Sequence, residues 1–261
     1  MNHEVSCSLM QSQNDLCARL LSRMFEEERE LNKSRDHQIL SRDGCMPICS
    51  IWRERVAQWY DDVLNNLGES RRAGYIAMNI LDRYFVVKGI TNLSSRRYEV
   101  ACLTALFLAL RINGRKSLTI FDLIRMSRIG VNVRDIIEIG QDITRSISFE
   151  RRVLTPSDFI KPMLDHLPSV IAVRIRDAAL KNAEISKIDS NIVGSKSSEI
   201  AMASILNALE FPDTSIFTSK ICDISGNNLS TKNIVELQCR IQDLAHRFTS
   251  VSKPHIIPDG P

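Results

Sequence analysis

Two charged residues stand in segments that otherwise bury apolar side chains. Arg53 lies between Trp52 and Val56, and Asp82 follows Leu81 in Asn79-Ile80-Leu81-Asp82-Arg83-Tyr84-Phe85. Taken singly, each reads as a solvated charge. Both adjoin the apolar stripe of their segment, however, which favours an ion pair between the segments. A third charge, Arg111, ends the run Ala101-Cys102-Leu103-Thr104-Ala105-Leu106-Phe107-Leu108-Ala109-Leu110. That run is too apolar to keep a charge inside, so Arg111 must reach outward to a partner carboxylate or carbonyl. These are chemistries of recognition. The chain has no Gly-rich phosphate loop, no His-Glu-x-x-His and no nucleophile elbow. His166 and His246 are lone helical histidines with structural roles. No enzyme activity and no cofactor are expected.

Other charge clusters carry less. Glu26-Glu27-Glu28 reads as a solvated helix face. Arg71-Arg72, Arg96-Arg97 and Arg151-Arg152 adjoin helix ends and are not interleaved with aromatics, so no nucleic-acid interface is expected. The net charge of +3 is too small to imply such a partner by itself. Seven cysteines are scattered and odd in number. Cys102 and Cys239 fall on apolar helix faces and read as buried thiols. Cys45 and Cys49 are four apart but lack a second Cys/His pair, so no metal is expected. The first six residues lack signal-peptide regions, and the longest apolar run, near residues 100 to 110, is far short of a membrane span. A nuclear or cytoplasmic protein without membrane contact is expected.

The elements that position these residues read as helices throughout, and no strand is needed. An opening segment, Asn14 to Asn32, places Leu16, Leu20, Met24 and Leu31 on one face. Residues 33 to 46 are a polar connector. Ile48, Trp52, Val56, Trp59, Val63 and Leu67 recur at helical steps up to Gly68. A helix from Ser70 turns Ile76, Ile80, Leu81 and Tyr84 inward. The next, from Ser94 or Ser95 to Ile112, is apolar nearly all round and must be wrapped by others. Thr119 with Asp122, and Asn132 with Asp135, open two further helices; Ile136, Ile139, Ile143 and Ile147 form the stripe of the second.

Thr155-Pro156-Ser157-Asp158 combines a cap, a proline at the first helical position and a closing acid. It opens a second series over 157–167, 170–185, 197–209, 214–224 and 230–248. The small apolar residues Ala201, Ile205, Ala208 and Leu209 give 197–209 the character of another central helix. Five helices in each half suggest a duplication without residue-level repeats.

An Arg-x-x-Val-x-x-Trp helix, then Leu-Asp-Arg-Tyr-Phe, then an apolar helix ending in a base resembles the cyclin box of the cyclin family. The likeness is best over residues 14 to 160 and architectural beyond. It implies an all-α fold of two tandem five-helix boxes behind an N-terminal helix. The expected divisions are 1–46 for helix and connector, 47–154 for the first box, 155–251 for the second and 252–261 for a tail. By resemblance, Arg53 and Asp82 form the buried ion pair tying the first two helices of the box. Val100 occupies a core-leucine position. Arg111 falls on the lysine that contacts a cyclin-dependent kinase. Glu26-Glu27-Glu28 followed by Arg35-Asp36 is similar to the helix before the box in G1-type cyclins.

The departures are specific. The glutamate that partners the kinase-contacting lysine aligns with Gly140, leaving Glu138 or Asp142 to supply a carboxylate. Two acidic residues expected after the lysine are Asn113 and Gly114. Arginine for lysine exchanges a point donor for a planar fork. The family's docking groove for Arg-x-Leu motifs of substrates or inhibitors would use Trp52, Val56, Trp59, Asp62 and Glu99. Arg55 stands in the middle of that groove and would repel the motif's arginine. On their own account, Trp52 and Trp59 at helical spacing are core aromatics. The resemblance implies a regulatory subunit that binds and activates a cyclin-dependent protein kinase in cell-cycle control. The alternative is a cyclin-fold transcription or scaffold factor without kinase activation.

Overall fold

A computed structural model describes residues 15–32, 50–88, 94–113, 119–126, 130–147, 153–209 and 214–249. Among these residues every regular element is a helix and none is a strand. The helices are α1 (15–32), α2 (Ser50–Leu67), α3 (Arg72–Lys88), α4 (Ser95–Asn113), α5 (Ile120–Met126), α6 (Val133–Ser146), α7 (Pro156–Leu164), α8 (Ser169–Ser186), α9 (Ser197–Ala208), α10 (Ser215–Ser225) and α11 (Thr231–Thr249), with a 3₁₀ turn at Ser190–Ile192. Cys45 and Cys49 lie outside the described residues.

The chain forms two compact units. One gathers the described parts of Asp36–Val153 with Lys187–Val193; the other gathers those of Met1–Arg35, Leu154–Ser186 and Gly194–Val251.

In the first unit α4 is central, packing on α3 and α6. Its side chains from Tyr98 to Leu106, then Ala109 and Leu110, are buried all round, as a wrapped helix requires. Ile76, Ile80, Leu81 and Tyr84 of α3 are buried, and Tyr60 of α2 donates to the Cys102 carbonyl at 2.8 Å. Two capping boxes stand where serial acids suggest them. Thr119 N–H donates to the Asp122 carboxylate at 2.9 Å, and Asp135 N–H donates to the Asn132 amide oxygen at 2.9 Å. The α6 stripe Ile136, Ile139 and Ile143 is buried, with Ile147 just beyond.

The second unit repeats the plan around α9, whose residues Ser197 to Leu206 are all buried against α7, α8 and α11. Thr155 N–H donates to the Asp158 carboxylate at 2.8 Å, opening α7 behind Pro156. Gly226 ends α10 at φ +56°, a left-handed conformation that suits a residue without Cβ.

The opening helix departs from its expected face. Leu21, Phe25 and Glu28 are the buried residues of α1, whereas Leu16 and Leu20 are exposed. The buried face lies about one residue round the helix from the expected stripe. There Phe25 meets the Phe159 ring at 5.7 Å, and Glu28 finds hydrogen-bond donors. Glu28 is therefore no part of a solvated face: it is only 3% exposed. A second correction concerns Cys239, which is exposed on α11, while Cys102 is buried as expected. The α11 residues that turn inward are Ile234, Leu237, Ile241 and Leu244, leaving position 239 outside the stripe.

Candidate functional site

The first unit brings Arg53 and Asp82 together across α2 and α3. The Arg53 Nη1 donates to Asp82 Oδ1, with the two side chains 5% and 12% exposed. Arg53 Nε is buried and has no hydrogen-bond partner, so Asp82 is the anchor for the whole guanidinium. The pair fastens the two helices that flank the centre of the unit.

Arg111 ends α4 differently. It is exposed and lies over the Phe107 ring at 5.9 Å. Among the described residues it has no ion-pair partner. An arginine stacked on an aromatic face at a helix terminus, with its donors directed to solvent, is suited to meet a carboxylate.

The two carboxylates expected beside it serve other contacts. Glu138 pairs with Arg134 at 2.9 Å one turn away on the exposed face of α6. Asp142 turns inward and accepts from Lys88 Nζ at 2.7 Å, Arg97 Nη2 at 2.8 Å and Tyr84 Oη at 2.8 Å. Burial pushes the Asp142 carboxyl up, but these three donors outweigh it and hold it below the usual carboxylate range. Burial and the facing carboxylate push Tyr84 up to about 12, so its hydroxyl stays a donor at neutral pH. Asp142 thus ties α3, α4 and α6 together. Tyr84, Lys88 and Arg97 are the partners that sequence reading missed; Tyr84 stood inside the quoted Leu-Asp-Arg-Tyr-Phe run, yet nothing local signals a bond to a residue 58 positions away. A Cβ at Gly140 would meet only Thr104 Cγ2, at 3.5 Å, an ordinary contact, so this position has space for a side chain but carries none.

The unit also exposes apolar side chains. Ile112 on α4, Phe121 on α5 and Ile137 on α6 are its exposed large hydrophobic side chains among the described residues. These three helices pack on one another, whereas the described side chains of α2 and α3 include no such residue.

The five residues expected to line a docking groove do not form an open surface. Val56 and Trp59 of α2 and Glu99 of the central α4 are buried, at 1%, 7% and 5% exposure. Trp52 is half-buried, packed edge-on to Tyr98 at 5.9 Å, and Asp62 is exposed. Arg55 lies over the Trp52 ring at 5.7 Å and covers it. Only Trp52 and Asp62 reach solvent, and the cation stands between them in sequence.

The second unit holds a buried polar cluster. Glu28 of α1 accepts from Ser198 N–H at 2.9 Å, from Ser198 Oγ, and from Asn228 Nδ2 at 3.2 Å. Burial pushes the Glu28 carboxyl above the usual glutamate range; the bonds from Ser198 and the charge of Lys196 oppose it without cancelling it. Glu199, 1% exposed, accepts from Ser230 N–H at 3.0 Å and Asn233 Nδ2 at 3.2 Å, and so caps α11. Each acid occupies the amino-terminal end of a helix, where orphan N–H groups and the helix dipole favour negative charge. In the first unit Lys187, its side chain 1% exposed, is paired with Asp61 of α2. Among the described residues no cluster of His, Cys, Asp and Glu suits a metal ion, and no helix is long and apolar enough to cross a membrane.

Comparisons with known proteins agree with this architecture. A model of the cyclin N-terminal domain matches residues 20–152. The structure is similar to a viral cyclin from herpesvirus saimiri, with a TM-score of 0.60 and 18% identity over 76% of this chain and 87% of the other. It is also similar to a chain of the CAK complex from Chaetomium thermophilum bound to ATP-gamma-S, with a TM-score of 0.56 and 15% identity over 88% of this chain and 74% of the other. At these identities the likeness is one of fold. A comparison with curated protein sequences gives no match.

Proposed function

The chain belongs to the cyclin family, and from that premise we propose that it is a non-catalytic regulatory subunit that binds and activates a cyclin-dependent protein kinase in cell-cycle control. The observation that carries this reading is the end of α4. Arg111 is presented to solvent without an ion-pair partner among the described residues, beside exposed Ile112, on a unit whose α5 and α6 also expose Phe121 and Ile137. A cation next to apolar surface is the pattern of an interface anchor. The subunit then acts by population shift, binding the active arrangement of the kinase better than the inactive one. Such a protein works wherever its kinase does, in the nucleus, the cytoplasm or both. The buried groove residues and the Arg55 cover argue for kinase contact over Arg-x-Leu docking as its main interaction.

The test is affinity purification of the wild-type protein with mass spectrometry and a kinase assay, repeated with Arg111→Glu. A protein kinase should accompany the wild type and be activated by it. Charge reversal should weaken that association on the order of 100-fold while leaving the melting temperature unchanged, since Arg111 is exposed. A kinase retained at wild-type yield by Arg111→Glu would remove the anchor. Scaffold partners without any kinase would favour a cyclin-fold transcription or scaffold factor.

A further inference from the structure

The second unit receives α1 much as a receptor receives a helical ligand. One face of α1 is read, at steps of four and three residues: Leu21, Phe25 and Glu28, each no more than 3% exposed. Phe25 meets the Phe159 ring at 5.7 Å. Lys196, the N-cap residue of α9, makes no side-chain cap bond, and Glu28 caps α9 from outside by accepting from Ser198 N–H at 2.9 Å. Asn228 completes the seat. It follows Gly226 and Asn227, two left-handed residues at φ +56° and +68°, and Lys196 Nζ donates to its carbonyl. So held, its Nδ2 donates to Glu28 at 3.2 Å and to the Phe25 carbonyl at 3.5 Å. These polar contacts lie 170 to 203 positions away from α1 in the chain. Residues 33–49, between α1 and α2, span up to about 60 Å at full extension.

We propose that α1 is an exchangeable arm and that its partner is a second copy of this chain: two copies swap the helix, each placing Leu21, Phe25 and Glu28 on the seat of the other. The seat reads one face of one helix, and that face is the same whichever copy supplies it. Exchange leaves Phe25 on Phe159 and Glu28 on Ser198 and Asn228, so no contact is lost. Only the closure of the connector and the entropy of association differ between the two forms. A connector of this length gives the chain's own α1 a finite advantage, equivalent to about a millimolar local concentration. The monomer is therefore favoured in dilute solution, and the exchanged pair gains where copies crowd. Both seats are filled in that pair, so assembly closes at two.

The test unfolds the full chain in denaturant and refolds it at about 5 µM and at about 500 µM, either side of a tenth of that local concentration. Sedimentation should give a monomer from the first and a substantial dimer fraction from the second. Chains carrying Phe25→Cys are then refolded at the higher concentration with chains carrying Phe159→Cys, under oxidising conditions. A disulfide between positions 25 and 159, found by peptide mapping in the mixture and in neither variant alone, is the expected result. Glu28→Cys mixed with Asn228→Cys repeats the trap at the polar end of the seat, should the first pair fail to fold. A monomer at both concentrations, with no link between chains in either mixture, would overturn the proposal. A dimer that forms without either link uses another surface and overturns it as well.

Discussion

Replacing Asp82 by alanine tests how the first unit is held together. Asp82 is the acceptor for Arg53 Nη1, and Arg53 Nε already lies buried without a partner. With side chains 5% and 12% exposed, neither residue can turn to water without moving a helix. Alanine therefore strands a guanidinium on a side chain that is only 5% exposed. Breaking a buried pair in this way costs about 3–5 kcal/mol. For a chain of this size each kcal/mol lowers the midpoint by about 2–4 °C, so a drop on the order of 10 °C is expected by calorimetry or circular dichroism. The double variant Arg53→Met with Asp82→Leu removes the stranded charge and should recover most of the loss, because an apolar pair of similar volume often replaces a buried ion pair at little cost. An Asp82→Ala stability within about 1 kcal/mol of wild type would refute the reasoning, since it would mean the guanidinium finds water. A double variant no more stable than the single one would also refute it, by shifting the loss to packing.

Two other perturbations separate the remaining polar clusters. Asp142→Asn should destabilise the first unit by about 2 kcal/mol, most of it from the Tyr84 contact, because Lys88 and Arg97 are 36% and 49% exposed and screened by solvent. Asp142 has its carboxyl held low in the fold, so its contribution is present above the unfolded carboxylate value and is lost as pH falls through the lower folded one; acid titration of the melting temperature, wild type against Asp142→Asn, should converge at low pH. Glu28 has the opposite sign. Its carboxyl is raised in the fold, so the folded state holds the proton more tightly and stability falls as pH rises from the ordinary value near 4.5 through the raised one. Glu28→Gln should abolish that decline, and equal slopes for the two proteins between about pH 4 and 7 would show that Glu28 titrates normally.

Local signals made much of the fold legible. The Thr119, Asn132 and Thr155 caps announce their helices because the serine-like or amide acceptor and the acid three residues on satisfy the first N–H groups without help from elsewhere. The central helix α4 shows in sequence because burial on all sides leaves few polar residues to interrupt it, and α9 shows by its small apolar residues Ala201, Ala203 and Ile205. What stayed hidden depends on partners far away in the chain. Glu28 looked like one of three solvated acids, and its burial is decided by Ser198, 170 positions later. Lys187 meets Asp61 across 126 positions, and no periodicity marks a lysine whose side chain is 1% exposed. The α1 stripe was misread for the same reason: Leu16–Leu20 and Leu21–Phe25 are equally good helical pairs, and only Phe159 and Ser198 choose between them. The candidate interface was half legible. Arg111 could be placed at a helix end, but the engagement of Asp142 inside the unit and the exposure of Phe121 and Ile137 follow from packing that periodicity does not encode.

The membership of α1 has a consequence for how the chain is made. Its partners, α7 and α9, lie more than a hundred residues downstream, beyond the whole of the intervening unit. On the ribosome α1 emerges well before the helices that cover it. At about 5–20 residues per second, Leu21 and Phe25 stay without their native cover for on the order of ten seconds while α2 to α6 are synthesised. During that interval the nascent chain carries an amphipathic helix with an open apolar side, the form that holdase chaperones bind and that neighbouring chains on a polysome can capture. The first unit meanwhile has its central helix and can collapse as it appears. The rate at which α1 finds α7 and α9 is then set by closing a long loop that has already folded, which is shorter end to end than the same loop unfolded. Birth order and burial order run opposite ways in this protein, and its yield in cells depends on how well the first helix is sheltered until the last ones arrive.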